Sequence, residues 1–100
     1  MLGDMLELGE FSEEHHREIG RLLVAEGYDQ VYTFGEAAKF IAREAKAAGI
    51  RIAKICDSHL DMVNVYCDVR AKGDVILVKG SRGLRMERVV NEFEDREALQ

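Results

Sequence analysis

One hundred residues allow a single small domain that buries roughly 65% of the surface its unfolded chain exposes. A composition of 47% hydrophobic and 33% charged residues, with neither proline nor tryptophan, suits a soluble α/β protein. The formal net charge of -5 opposes sequence-independent nucleic-acid binding, and no apolar run approaches the roughly 20 residues that span a bilayer.

Taken in order, "MLGDMLELG" reads as the end of a strand and the loop after it, with only Met1 and Leu2 left to be the strand. Ser12 is a natural N-cap, and Glu13 and Glu14 in the first turn complement the helix dipole. Ile19, Leu22 and Leu23 continue that helix until Gly27 stops it. "DQVYTF" is β-branched and aromatic enough to be a strand. A second helix is expected from about Glu36 to Ala48, with Ala37, Ala38, Ile41, Ala45 and Ala48 on one stripe and Gly49 as its stop.

"RIAKIC" is the next strand, and Asp57 or Ser58 caps a third helix, with Asp61 completing a capping box to Ser58 and Gly73 terminating it. "DVILV" is the most strand-like stretch of all, apolar after its first residue as befits a strand covered on both faces. Met86, Val89, Val90 and Phe93 give a last amphipathic helix, with a polar, frayed tail expected over residues 95–100. Alternating strands and helices specify right-handed βαβ units, a mostly parallel sheet and one open α/β sandwich over residues 1–100. In a doubly wound sheet the first strand is commonly central, so its truncation is expected to leave an unpaired gap mid-sheet.

Ligands of such sheets gather beyond the carboxyl ends of the strands. The corresponding loops hold Asp4 and Glu7; Gly35 and Glu36; Asp57, Ser58 and His59; and Lys79 through Arg85. "KGSRGLR" is neither a P-loop nor a dinucleotide fingerprint, since the lysine comes first and the glycines are wrongly spaced. It combines glycine-freed backbone amides, the Ser81 hydroxyl and the cations Lys79, Arg82 and Arg85, a set suited to an anion. Equally, Gly80 and Gly83 serve a turn whose cations are simply solvated, and the residues alone leave both readings open.

His15 and His16 are adjacent and share no metal face, so a packing role is expected, and His59 is read as a surface residue. Cys56 and Cys67 fit no CxxC or zinc spacing and are read as buried free thiols. Arg43, Glu44 and Lys46 read as a solvated face. No catalytic residues and no metal ligands are assigned.

"LGDMLELGEFSEEHHREIG" and "DVILVKGSRGLRMERVV", paired in this order, resemble the Mur ligase family over nearly the whole chain. More narrowly they resemble its branch that joins D-alanyl-D-alanine to UDP-N-acetylmuramoyl-tripeptide in peptidoglycan synthesis. The resemblance implies a Rossmann-like three-layer sandwich serving as the C-terminal, amino-substrate-binding domain of a cytoplasmic ATP-dependent ligase. It places the UDP-sugar on an N-terminal domain, and ATP and Mg2+ mainly on a central domain of the same chain, so the segment alone is expected to be inactive. It also implies that Asp4 reaches ATP and that Lys79, Gly80, Ser81 and Arg82 form the loop beside the added amino compound. A carboxylate then takes precedence over a phosphate, because the dipeptide's acid end suits a lysine and a planar arginine fork.

A rival expectation is a phospho-acceptor signalling receiver, with Asp57 taking phosphate after "RIAKIC" and Lys79 sensing it. Such domains need an acidic pair after the first strand and usually a proline after the lysine, whereas Asp4 stands single and Gly80 follows Lys79.

Overall fold

The computed structural model describes residues 1–4, 12–71, 73–80 and 85–98, with side chains as far as residue 95. Its elements are β1 (Leu2–Gly3), α1 (Ser12–Ala25), β2 (Gln30–Phe34), α2 (Lys39–Ala47), β3 (Ile52–Cys56), α3 (His59–Cys67) and α4 (Glu87–Ala98). The sheet is parallel in the order β1-β2-β3, with Leu2 opposite Thr33 and the whole of β2 paired to β3 from Gln30↔Ile52 to Phe34↔Cys56. On the far side of β1, Lys79 forms a parallel bridge to Leu2.

Successive residues of a strand point to opposite faces, so β2 feeds two cores. Val31 joins Leu23, Ala38, Ile41 and Ala45 on the α1/α2 face. Tyr32 joins Met1, Cys56, Met62, Val63, Tyr66, Met86 and Val89 on the α3/α4 face. Helices on both faces of a parallel sheet give the three-layer α/β sandwich the sequence specifies. On the second face Tyr66 meets Tyr32 and Phe93 edge-on, with ring centroids at 5.9 and 5.7 Å.

Helix ends follow local chemistry. Ser58 is extended and its Oγ accepts from Asp61 N at 2.9 Å, while the Asp61 carboxylate returns to Asp57 N, one residue earlier than a capping box requires. Gly27 and Gly49, at φ 87° and 99°, take the left-handed conformation that ends α1 and α2. Three expectations shift. α2 begins at Lys39, after a turn over residues 36–38. α3 stops at Cys67, well before Gly73, which instead sits in a turn where Ala71 N bonds the Asp74 carboxylate. α4 runs to Ala98, past Asp95 where fraying was expected, and residues 99–100 lie outside the described set.

α1 and α2 approach closely at Gly20, where an added Cβ would lie 2.5 Å from Ile41 O and 2.9 Å from Glu44 Cβ. Glu44 is not a solvated residue: it receives Arg17 and Arg21 from α1, each at 3.1 Å. His16 is fully buried with Nδ1 2.6 Å from Ser12 O, so that nitrogen carries the proton; the expected packing role holds.

The main correction concerns "DVILV". Residues 74–78 form no ladder, and Val75 is 97% exposed, with Ile76 at 39% and Leu77 at 48%. A strand needs a neighbour as well as propensity, and its neighbour β1 is two residues long. Where β1 exists the pairing forms: Gly3 N bonds Lys79 O at 2.8 Å, and Lys79 N bonds Met1 O at 3.1 Å. Beyond it, the Met1 ammonium donates to Leu77 O at 2.7 Å and the ladder ends. Residues 30–32 and 75–77 line a cavity of about 320 Å³.

Burial lowers the Met1 ammonium from 8.0 to about 6, with Cys56 opposing weakly. Between those values the unfolded chain binds more protons than the folded one, so stability rises with pH across that window and levels off above it. The full span is worth about 2 to 3 kcal/mol at 1.36 kcal/mol per unit. Urea melts between pH 5.5 and 8.5 should show the rise, and acetylating Met1 should remove that part of it; equal slopes for both forms would refute the burial.

Gly20→Ala tests the helix contact. The gain in helix propensity of about 1 kcal/mol is outweighed by overpacking of about 1–3 kcal/mol, so the urea midpoint should fall. A higher midpoint would show that α1 and α2 have room to spare.

Candidate functional site

The chain runs outward from β1 through β2 to β3 and then returns to the opposite side of β1, so the strand order reverses between Gly3 and Lys79. Such a reversal is where α/β folds place the crevice that takes their ligands, beyond the carboxyl ends of the strands. Two short backbone arms form its walls, Gly3-Asp4 after β1 and Lys79-Gly80 across from it. They touch closely: a Cβ on Gly80 would lie 3.2 Å from Gly3 Cα and 2.8 Å from Met86 Cγ. Glycine at residue 80 thus lets the arms meet, which is more than a turn requires.

Lys79 is exposed, and both its backbone groups are taken up by Met1 and Gly3, so the main chain beneath the cation is fixed. Arg85, also exposed, adopts φ 51°, a left-handed conformation costing a non-glycine residue about 1 kcal/mol just ahead of α4. Ser81 and Arg82 lie outside the described residues. Of the expected loop, then, Lys79 and Gly80 are seen at the crevice.

Asp4 stands at the same crevice but its carboxylate is already engaged. Oδ1 accepts from Ala38 N in the turn leading into α2. Gly35, at φ 117°, passes directly beneath that carboxylate, where a Cβ would collide with both oxygens. The aspartate therefore ties the loop after β1 to the loop after β2 and satisfies one of the amides a helix start leaves unpaired. Sequence reasoning placed Asp4 and Gly35 in neighbouring loops but missed this bond, which joins residues 34 positions apart.

The third loop is arranged differently. Asp57 is exposed with its N–H on Asp61, and the His59 ring lies 4.8 Å from that of Phe34 at the end of β2. β1 and β2 separate Asp57 from Lys79, a spread of roughly 14 Å at the usual strand spacing. That spread does not bring the two side chains together around one phosphate, and nothing in the fold supports the receiver reading. Cys56 is a buried free thiol as expected, pushed up to about 11 chiefly by burial, whereas Cys67, also outside any disulfide, is only half-buried. Among the described residues no group of three His, Cys, Asp or Glu is placed to hold a metal ion, and no helix is long and apolar enough to cross a membrane.

A parallel α/β sandwich with a lysine-glycine arm at the strand-order reversal defines the class, and the family comparison agrees with it. Residues 1–82 match the family described as "Mur ligase, glutamate ligase domain", and the chain belongs to the Mur ligase family. Among curated relatives, the UDP-N-acetylmuramoyl-tripeptide--D-alanyl-D-alanine ligase of Bacillus subtilis (strain 168) is 36% identical over 93% of this chain and 21% of its own length. Enzymes of the same name from Rickettsia prowazekii (strain Madrid E) and Treponema pallidum (strain Nichols) are 27% and 32% identical over 94% and 89% of the chain, each over 20% of the relative. The chain thus spans about a fifth of the length of the relatives it matches. No solved structure matches it.

If Asp4 holds the α2 entry, Asp4→Ala should cost about 1 kcal/mol in urea unfolding, the usual loss of a cap, while Asp4→Asn, which keeps an acceptor, should cost much less. Equal losses for both would show that charge matters here and the bond to Ala38 does not.

Proposed function

We propose that residues 1–100 act as the C-terminal, amino-substrate-binding domain of an ATP-dependent ligase that joins D-alanyl-D-alanine to UDP-N-acetylmuramoyl-tripeptide in peptidoglycan synthesis. The observation that carries this reading is the strand reversal, where a fixed backbone presents Lys79 beside Gly80. Relatives bearing that enzyme's name match nearly the whole chain, which supports the choice of substrates.

Lys79 and Arg82 supply charge-assisted hydrogen bonds for the dipeptide's carboxylate, with Ser81 and the Gly80 amide as neutral donors. Holding the acid end leaves the dipeptide's amine projecting from the crevice, and the domain contributes by orienting that amine toward the tripeptide. ATP, with Mg2+, would activate the tripeptide's carboxyl group on a central domain outside this chain, which itself carries no P-loop. Asp4 is the residue here that would meet the nucleotide, through the carboxylate lone pairs left over from its bond to Ala38. The domain alone then binds and positions without catalysing, in the cytoplasm where ATP and the UDP-linked precursor meet.

The test uses the full-length ligase carrying this domain, assayed for phosphate release with both peptide substrates. Arg82→Ala and Lys79→Ala should each raise the KM for D-alanyl-D-alanine about tenfold or more, the worth of one charge-assisted bond, with the KM for ATP nearly unchanged. Asp4→Asn should do the reverse. Unchanged dipeptide kinetics in both cation variants would refute the assignment.

A further inference from the structure

Arg85, just ahead of the turn into α4, is the one non-glycine residue with a positive φ among the described residues. Glycine or asparagine would hold φ 51° at less cost, so an arginine kept there against that preference calls for a reason in its side chain.

Its neighbours fix where it stands. Met86 is buried, and its Cγ lies 2.8 Å from where a Cβ on Gly80 would be, so residues 80 and 86 meet across the loop that separates them. Arg85 is one peptide step, about 3.8 Å, from Met86. The chain therefore comes back to the Lys79-Gly80 arm at Arg85, and the long arginine stem lets its charged head reach over that arm. On the helix side, Arg85 O accepts Arg88 N and Met86 O accepts Val89 N, each at 3.0 Å. A cation on backbone held in this way loses little freedom when it orders a ligand.

Charge points the same way. Arg85 is exposed, and among the described residues no carboxylate pairs with it, whereas Arg17, Arg21 and Lys39 each meet a glutamate. Two cations brought together at Lys79 and Arg85 repel each other, and an anion between them removes that repulsion. The two groups also differ in what they offer: the ammonium is a compact point charge, the guanidinium a planar fork that takes both oxygens of a carboxylate at once. The lysine places an acid group and the arginine sets its plane.

We propose that Arg85 is a further binding residue for the amino substrate, closing on its carboxylate opposite Lys79. A carboxylate offers about four acceptor sites, enough for Arg85 beside Lys79 and Arg82. The role rests on the assignment of D-alanyl-D-alanine to this crevice, and it makes the dipeptide's orientation depend on the turn before α4.

The full-length ligase carrying this domain is assayed with D-alanyl-D-alanine and with D-alanyl-D-alaninamide, as wild type, Arg85→Asn, Arg85→Lys and Lys79→Ala. Asparagine accepts the left-handed backbone without the charge, so Arg85→Asn should keep or raise the urea midpoint yet increase the KM for the acid about tenfold. Its KM for the carboxamide and for ATP should stay near wild type, because the lost contact is one that only the acid makes. Arg85→Lys should fall between. An unchanged KM for the acid in Arg85→Asn, beside a raised one in Lys79→Ala, would overturn the role of Arg85 and leave the crevice assignment standing; no change in either variant would overturn both. An equal rise for acid and carboxamide, or a lowered urea midpoint, would show that Arg85 acts through the fold and would likewise overturn the proposal.

Discussion

The sheet is held together across its middle by a strand of two residues. Leu2 and Gly3 pair with Thr33 and Phe34 on one side and with Lys79 on the other, and Met1 adds bonds to Leu77 O and Lys79 N, so residues 1–3 tie the returning segment to β2 and β3. Each backbone bond there contributes only about 1 kcal/mol net. Their effect is larger because they fix the register on both sides at once, and a one-residue slip would send Met1 out of the α3/α4 core and Leu2 away from the α1/α2 core.

That dependence separates what was legible in the sequence from what was not. Helix stops at Gly27 and Gly49 and the Ser58 cap are decided within a turn, by left-handed φ and by a side-chain oxygen, and they appear where the residues put them. The two-faced burial of β2 follows from strand alternation alone. The failure at Val75–Leu77 has the opposite origin: their β propensity is as strong as the sequence suggests, but propensity measures fit to a neighbour, and no described strand pairs with them. Long-range matters were likewise hidden, as Gly20 matters because of Ile41 and Glu44 because of two arginines in another helix.

The crevice was half legible. Lys79 and Gly80 announce themselves as a cation and a glycine after an apolar run, and parallel topology puts them at a strand-order reversal. Asp4 was read as a carboxylate free for a ligand, whereas one of its oxygens already organises the entry of α2. These roles are compatible in chemical terms, since a carboxylate accepts several hydrogen bonds and a backbone amide occupies one lone pair. Fixing the group beforehand also lowers the cost of ordering it when a ligand arrives.

The two ends of β1 therefore do different work on one piece of backbone. At the carboxyl end, Gly3 N holds Lys79 O and so places the cation; at the amino end, Met1 holds Leu77 O and Lys79 N. Residues 75–77 and Lys79 are one continuous segment, anchored at its last positions and exposed before them. Ordering the exposed part removes conformational freedom from the segment that carries Lys79, and that entropy is worth about 1–2 kcal/mol per residue fixed. The backbone beneath Lys79 is thus held by the bonds that Met1 and Gly3 make to it. A cation on a fixed backbone loses less freedom when it orders a ligand than one on a loose loop, so the bonds from Met1 and Gly3 bear on whatever Lys79 holds.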